Sequence, residues 1–262
     1  MLAELVEYLL TPCPLPARKL GYLTEAVAIR ARHRRCSAAW QSHLENSRAA
    51  ILEAAQTCTG RECALVLGSG ALLDVPVEQL SRMFGRVVLA DVVHPLAARW
   101  RVRSLDNVSL VTLDVTGTLA ALAHGPDIPD CTPHALLDLL KREAPDLIVS
   151  ANILSQLPLL PLRRLEATGL HAQPELEAFA SRLLAEHVRL LEACPGTPCL
   201  LADIRWHGTS GIENPLRGIE LPPPVRTWTW NVAPSPEISR DHDVFHEVGF
   251  FLPARRDPQD AL

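Results

Sequence analysis

The sequence predicts an α/β protein: a mostly parallel sheet covered by helices on both faces, closed by an antiparallel hairpin and preceded by a helical segment. Three observations predict this class. After residue 63, short and nearly continuous apolar runs alternate with helical segments, which is typical of parallel strands buried on both faces. The last two runs are joined by an irregular loop that contains proline, which indicates a hairpin. The first 57 residues carry apolar residues at helical spacing.

The N-terminal segment is expected to be helical with one break. Leu2, Leu5 and Leu9 share one helical face, and a second apolar stripe begins at Trp40 and ends near Gly60. Three prolines within residues 12–16 cannot continue a helix. We therefore divide the chain into an N-terminal helical segment, 1–57, which is a candidate cap over the substrate side of a pocket, and a sheet domain, 58–262.

Seven strands and four further helices are expected in the sheet domain. The strands are predicted at 64–67, 87–90, 108–113, 147–149, 200–202, 226–232 and 244–251. The helices are predicted at 75–84, 94–103, 132–143 and 174–193. The arginine-rich stretch 30–35 lies on the second N-terminal helix and is interpreted as a solvent-exposed face. The alternative is that it binds an anionic substrate or partner.

Length and composition exclude several classes of protein. A chain of 262 residues with 48% hydrophobic and 21% charged residues is ordinary for a globular domain and a poor fit to a disordered or fibrous chain. The net charge of -5 does not favour nucleic acid or an anionic membrane as a partner. The longest apolar stretch, 146–162, is broken by polar residues and prolines and is shorter than the roughly 20 residues of a membrane span. A small-molecule substrate is therefore expected.

Cysteine usage and the N-terminus indicate a cytoplasmic protein. Seven cysteines form no CxxC pair and have no paired histidine pattern nearby, so reduced thiols and no metal site are expected. Glu4 and Glu7 stand where a signal peptide would carry positive charge.

Glycine and polar residues follow the predicted strands. Ligands of open α/β sheets bind at the carboxyl ends of the strands. The first strand ends in Gly68-Ser69-Gly70, where glycines allow a tight turn and a close backbone approach to a ligand. Asp91 follows the second strand, where a carboxylate can accept hydrogen bonds from a ribose diol. The corresponding residues after the third, fourth and fifth strands are Asp114, Asn152 and Asp203.

Two common nucleotide motifs do not account for this pattern. The third glycine of GxGxxG is Leu73, and the glycine turn lies beyond residue 60, so a nicotinamide dinucleotide site is disfavoured. No GKS or GKT follows the turn, which excludes a Walker phosphate loop. A single aspartate after a strand is often only a turn former, so the ordered combination is what indicates a binding site.

Residues 62–252 resemble the class I S-adenosylmethionine-dependent methyltransferases. The resemblance rests on 66–70, Asp91, Asp114 and 147–156. It implies a Rossmann-like, seven-stranded sheet whose last strand is inserted antiparallel. It also implies that the cofactor is S-adenosylmethionine, with Gly68 and Gly70 beside its methionine part and Asp91 on its ribose. The remaining cofactor-binding residues expected from the resemblance are Ser69, Asn152, and Asp114 with Val115 at the adenine. Leu72 departs from the family, which usually has a third small residue there.

The predicted function is methyl transfer to an unidentified small-molecule acceptor. Such a transfer requires alignment of the nucleophile with the methyl carbon, and it needs a general base only when the nucleophile keeps its proton at neutral pH. Asp203 and His207 are the candidate catalytic residues, with His242 and His246 as further candidates. No NPPY-type tetrad follows the fourth strand, which argues against methylation of adenine N6 or a glutamine amide. The alternative is a catalytically inactive methyltransferase-like module that binds a ligand or a partner.

Overall fold

The structure, a computed structural model, describes residues 2–208 and 211–253, so the final residues of the predicted 58–262 domain lie outside the description. In order along the chain, the helices are α1 (Leu2–Leu10), α2 (Leu15–Lys19), α3 (Tyr22–Thr57), α4 (Val77–Met83), α5 (Leu96–Val102), α6 (Leu119–His124), α7 (His134–Glu143), α8 (Leu159–Glu166) and α9 (Gln173–Ala193). The strands are β1 (Cys63–Leu67), β2 (Arg86–Asp91), β3 (Val108–Thr112), β4 (Leu147–Ala151), β5 (Thr197–Gly208), β6 (Gly211–Glu213), β7 (Arg226–Ala233) and β8 (Val244–Phe251).

The sheet confirms the predicted fold class. Its strand order is β3-β2-β1-β4-β5-β8-β7, and the first five strands run parallel. β8 is inserted between β5 and β7 and is antiparallel to both. The described chain has eight strands instead of the seven expected, because the short β6 folds back on the end of β5.

Helices cover both faces of the sheet, as expected from strands that are buried throughout. Every residue of β1 and β4 is buried. On one face, Val66 packs in a cluster with Ile51 of α3 and Leu80 of α4. On the other face, Leu65 packs in a cluster with Leu136 of α7 and residues of α9. This alternation follows from the two-residue side-chain period of a strand.

Three elements differ from the sequence-based expectation. α6 and α8 were not anticipated, since the first has only six residues and the second contains Pro161, which weakens a helical pattern. β5 continues to Gly208, six residues beyond the apolar run that predicted it. Asp203 therefore lies within β5 and not after it.

The last turns of α3, which ends at Thr57, pack against the sheet. The last turns of this 36-residue helix place Ala50, Ile51, Ala54 and Ala55 in the core cluster of the sheet, each with no exposed surface. The end of the predicted 1–57 segment is therefore part of the packing that supports the strands.

A substitution in α3 tests this packing. Ile51→Ala should lower the free energy of unfolding by about 2–5 kcal/mol, the usual cost of a cavity in a core. Ile29, on the same helix, is 37% exposed, and Ile29→Ala should stay within about 0.5 kcal/mol. Chemical denaturation of both variants measures the difference, and equal effects would show that the last turns of α3 do not support the sheet.

The first turns of the chain lie over the carboxyl edge of the sheet. Ala17 and Leu20 pack against Leu119 and Leu122 of α6, which follows β3. Leu23 and Val27 pack with Val93, which follows β2. The position of α1, α2 and the start of α3 is thus the one that a cap would need.

No helix within the described ranges is long and apolar enough to span a membrane.

Candidate functional site

The turn after β1 adopts a conformation that favours glycine. Gly68 and Gly70 have φ angles of 77° and 43°, in the region that residues with a Cβ adopt only with strain. The N–H groups of Gly68 and Ser69 donate to the Ala90 carbonyl at 2.9 and 3.3 Å, which ties the turn to β2. A Cβ on Gly68 would lie 2.0 Å from Cγ2 of Ile153. A Cβ on Gly70 would lie in ordinary contact with Oδ2 of Asp91, at 3.7 Å, and would clash with no described residue.

Asp91, the last residue of β2, faces this turn. Its Oδ2 accepts a hydrogen bond of 2.8 Å from the Gly70 N–H, and its Oδ1 accepts one of 3.1 Å from the Val93 N–H. Burial raises the pKa of Asp91, while the backbone donors and the neighbouring His94 favour its charged form. Each carboxylate oxygen keeps a lone pair after these bonds, so the side chain can still accept hydrogen bonds from a ligand.

Asp114 organises the loop between β3 and α6. Its Oδ1 accepts from the Thr116 N–H at 2.9 Å and from the Thr116 hydroxyl at 2.6 Å, and its Oδ2 accepts from the Leu119 N–H at 2.7 Å. The structure thus gives Asp114 a turn-forming and capping role. The side chain of Val115 is buried in the apolar cluster beneath α7 and α9. Their predicted contact with adenine stays a prediction.

Tyr22 brings the N-terminal segment to these two carboxylates. Burial raises the pKa of the Tyr22 hydroxyl, and the negative charges of Asp114 and Asp91 raise it further. The start of α3 therefore lies close to the loops that follow β2 and β3.

Asn152 joins the end of β4 to the segment after the glycine turn. It has a φ of 52° and donates from Nδ2 to Oδ2 of Asp74 at 2.6 Å. Burial raises the pKa of Asp74, and the bond from Asn152 opposes this rise. Gln156 donates to the Asn152 backbone carbonyl at 2.7 Å. Asp74 was missed by sequence analysis because it follows no strand directly, whereas Gln156 ends the segment 147–156 that carries the family resemblance.

Two buried polar atoms at this edge have no partner among the described residues. They are Oγ of Ser69 and Oδ1 of Asn152, and both residues are more than nine-tenths buried. Because a buried polar atom without a hydrogen bond is costly, both atoms are suited to a polar ligand.

Asp203 anchors a second polar group, on β5 and β8. Its Oδ2 accepts from the Ser155 hydroxyl at 2.9 Å, from Nε1 of Trp206 at 3.0 Å and from Nδ1 of His246 at 3.1 Å. Burial raises the pKa of Asp203, but the hydrogen bond and charge of His246, with the bonds from Trp206 and Ser155, hold it below its ordinary value. The sequence predicted Asp203 as a site residue, whereas its bond with His246 depends on the insertion of β8.

A β-bulge explains how Asp203 and Trp206 face the same way. Asp203 pairs with Val248 and Arg205 with Glu247, so Ile204 is an extra residue in β5. Side chains alternate between the two faces along a strand, so residues three positions apart normally face opposite sides. The extra residue at the bulge changes this, and Asp203 and Trp206 face the same side. Trp206 thereby lies directly across from His246.

Aromatic side chains surround His246. The Trp206 ring stacks on the imidazole at a centroid distance of 5.3 Å, and Trp230 meets it edge-on at 5.6 Å. His43 of α3 stacks on Trp230 at 4.0 Å with an interplanar angle of 8°, and it accepts a hydrogen bond from Nε1 of Trp228 at 3.1 Å. Sequence analysis missed His43, because the residue that marks it as part of this group, Trp228, is 185 residues away along the chain.

The other candidate histidines lie apart from this group. His207 pairs with Phe245, one residue from the Trp206 and His246 pair, and therefore points to the opposite face of the sheet. His242 is exposed in the segment before β8. No group of three His, Cys, Asp or Glu side chains in the described residues could hold a metal ion.

The arginine-rich stretch 30–35 forms ion pairs within the chain. Its four arginines contact Glu4 and Glu7 of α1 and Glu237 of the segment between β7 and β8. These pairs hold α1 and the hairpin segment against α3, and the role of the stretch stays a prediction.

The chain is similar in fold to a small number of solved structures. No protein-family model and no curated protein matches the chain. Five solved chains match. One is the N-methyltransferase NodS from Bradyrhizobium japonicum WM9 in complex with S-adenosyl-l-homocysteine, which is 14% identical over 79% of this chain and 86% of that chain, with a TM-score of 0.36. At this identity and TM-score, the likeness supports no conclusion about activity.

Proposed function

We propose that the protein binds S-adenosylmethionine at the carboxyl edge of its sheet and transfers the methyl group to a small-molecule acceptor. The observation that carries the proposal is the position of Asp91. Its carboxylate ends β2 and is held against Gly70 of the neighbouring turn. A carboxylate at this place beside a glycine turn suits an adenosyl ribose.

The other residues at the edge fit the rest of the cofactor. Ser69 Oγ and Asn152 Oδ1 are buried and without partners among the described residues, and a Cβ on Gly70 would clash with none of these residues. Asp74, close to Asn152, offers a carboxylate for the ammonium group of the methionine part. When bound, S-adenosylmethionine supplies a methyl group made electrophilic by its sulfonium.

The chain's own contribution is to position the reactants and to exclude water. Asp91 and the glycine turn fix the adenosyl end, because two backbone N–H groups hold the carboxylate in one orientation. The start of α3 lies close to the same carboxylates through Tyr22. A helical cover at this edge limits access by water and by large acceptors, which supports a small molecule as the acceptor.

An Asp91 variant tests the proposal. Asp91→Ala should weaken binding of S-adenosylhomocysteine by at least about tenfold, since hydrogen bonds to a charged acceptor contribute about 1.5–3 kcal/mol and 1.4 kcal/mol is a factor of ten. Isothermal titration calorimetry measures the change. Asp106→Ala, an exposed aspartate between α5 and β3, is the matched control and should bind as the wild type does.

The same titration examines the alternatives. An unchanged affinity of a folded Asp91→Ala or Asp91→Asn variant would remove Asp91 from the site, and tight binding of a nicotinamide dinucleotide would replace the methyltransferase proposal.

An inactive binding module is the second candidate, and one observation favours it. Leu72, at the third small position of the family motif, is fully buried with a φ of 58°. Binding without release of S-adenosylhomocysteine from any acceptor would support that candidate.

A further inference from the structure

We infer that His246 is the general base of the proposed methyl transfer, that Asp203 positions it, and that the acceptor is a small molecule that is methylated on a hydroxyl group. The inference rests on the proposed function. It follows from the hydrogen bonds and ring contacts that hold one imidazole in a single orientation.

Asp203 is built as an orienting group. Its side chain is 3% exposed, and one oxygen, Oδ2, accepts from His246, Trp206 and Ser155 at once. Ser155 bonds to the carboxylate and not to the imidazole, so these residues do not form the relay of a serine nucleophile. Asp203 instead remains an acceptor for Nδ1 of His246.

The rings around His246 prevent it from turning. Trp206 covers a face of the imidazole, and Trp230 meets it edge-on. Trp230 is itself held between the stacked ring of His43 and the edge of Trp40, with centroid distances of 4.0 and 4.9 Å. The imidazole orientation is therefore set by one hydrogen bond and two aromatic neighbours.

Titratable groups lie near His246 on β5 and on α3. From β5, Asp203 accepts a hydrogen bond from the imidazole, and on the α3 side His43 stacks on Trp230, which in turn meets the imidazole. Burial lowers the pKa of His43 to about 4, so His43 is neutral at neutral pH and adds no positive charge. The charged group in direct contact with the imidazole is then the Asp203 carboxylate, which accepts from Nδ1.

The atom left for chemistry is Nε2 of His246. Because Nδ1 donates to Asp203, the neutral imidazole carries its lone pair on Nε2. No residue in the described ranges bonds to Nε2, and the side chain is 17% exposed. Ser155, four residues after Ala151 at the end of β4, connects Asp203 to the segment that contains Asn152.

The proton and electron balance identifies the acceptor class. Nε2 takes the proton of the acceptor O–H while the oxygen lone pair forms the new O–CH3 bond, and the S–CH3 bond breaks with its electron pair remaining on sulfur. The imidazolium then returns its proton to water. A neutral amine already has a free lone pair and does not need this base, whereas a hydroxyl keeps its proton at neutral pH. We therefore assign a hydroxyl as the accepting group, and product analysis distinguishes it from an alkylammonium, which must also lose a proton.

Nitrogen NMR of the unliganded protein tests the base without any acceptor. In 15N-histidine-labelled protein at pH 8, His246 should show a protonated Nδ1 and an unprotonated Nε2. Asp203→Asn should abolish this preference, because an amide can also donate to Nδ1. His207→Asn, on the opposite face of the sheet, should leave the His246 signals unchanged. A neutral His246 with its proton on Nε2, or one unaffected by Asp203→Asn, would overturn the inference.

Product analysis tests the acceptor class. Methyl-labelled S-adenosylmethionine is incubated with the protein and the small-molecule fraction of a cell lysate, and the labelled products are identified by mass spectrometry. We expect an O-methyl product, with a rate about 100-fold lower for His246→Asn and unchanged for Asp106→Ala, the exposed control residue. An N-methyl or S-methyl product would overturn the inference but not the proposed function. Absence of both product and S-adenosylhomocysteine binding would overturn both.

Discussion

Replacing Gly70 with valine should leave the protein folded and remove measurable binding of S-adenosylhomocysteine. Gly70 has a φ of 43°, and a side chain in this region costs about 1–3 kcal/mol. The added Cβ would meet only Oδ2 of Asp91 at 3.7 Å and the Gly68 carbonyl at 3.9 Å. The protein therefore accommodates the Cβ without a clash, and the valine side chain would occupy the space that we assign to the cofactor.

A second glycine separates backbone strain from ligand exclusion. Gly169 also has a positive φ, 66°, and a Cβ there would meet no atom within 4 Å. Gly169→Val should lose similar stability and bind S-adenosylhomocysteine normally. Calorimetry and thermal unfolding of both variants give the comparison. If Gly70→Val binds with wild-type affinity, the turn only connects β1 to the next helix.

Truncation at residue 57 should prevent folding, whereas truncation at residue 20 should not. The longer deletion removes Ala50, Ile51, Ala54 and Ala55 from the core cluster on the sheet, and each such loss leaves a cavity. The shorter deletion removes α1, which packs on α3, and α2, which packs on α6 after β3. We expect the protein without residues 1–20 to unfold cooperatively, to bind S-adenosylhomocysteine at least about tenfold more weakly and to lose methyl transfer.

Circular dichroism and calorimetry decide this prediction. A folded protein that lacks residues 1–57 would show that α3 is dispensable for the sheet. A protein that lacks residues 1–20 and still binds and turns over at the wild-type level would show that α1 and α2 stabilise the structure without serving the site.

The sheet could be predicted because its strands are buried on both faces. Runs such as 64–67 and 147–149 are apolar throughout, and only a central strand of a covered sheet has that pattern. β5 was predicted too short because Asp203, Arg205 and His207 interrupt the apolar run. Those polar residues belong to the strand, since β8 pairs with β5 as far as His207.

The candidate site could be predicted only where it follows strand ends. Gly68, Gly70 and Asp91 stand out in the sequence because a turn and a carboxylate each follow an apolar run. His43 gives no such signal, because a histidine inside a long helix resembles any surface residue until Trp228 and Trp230 are folded against it. Likewise, the bond between His246 and Asp203 depends on where β8 enters the sheet, which no local pattern specifies.

The insertion of β8 between β5 and β7 also has a consequence for the order of assembly during folding. Asp203 and His246 are 43 residues apart along the chain, so this contact closes a long loop, and such pairings form slowly. Until β8 docks, β5 presents an unpaired edge, which is the kind of surface that associates with other chains. The hairpin that completes the polar group at Asp203 is thus also what protects a nascent chain from aggregation.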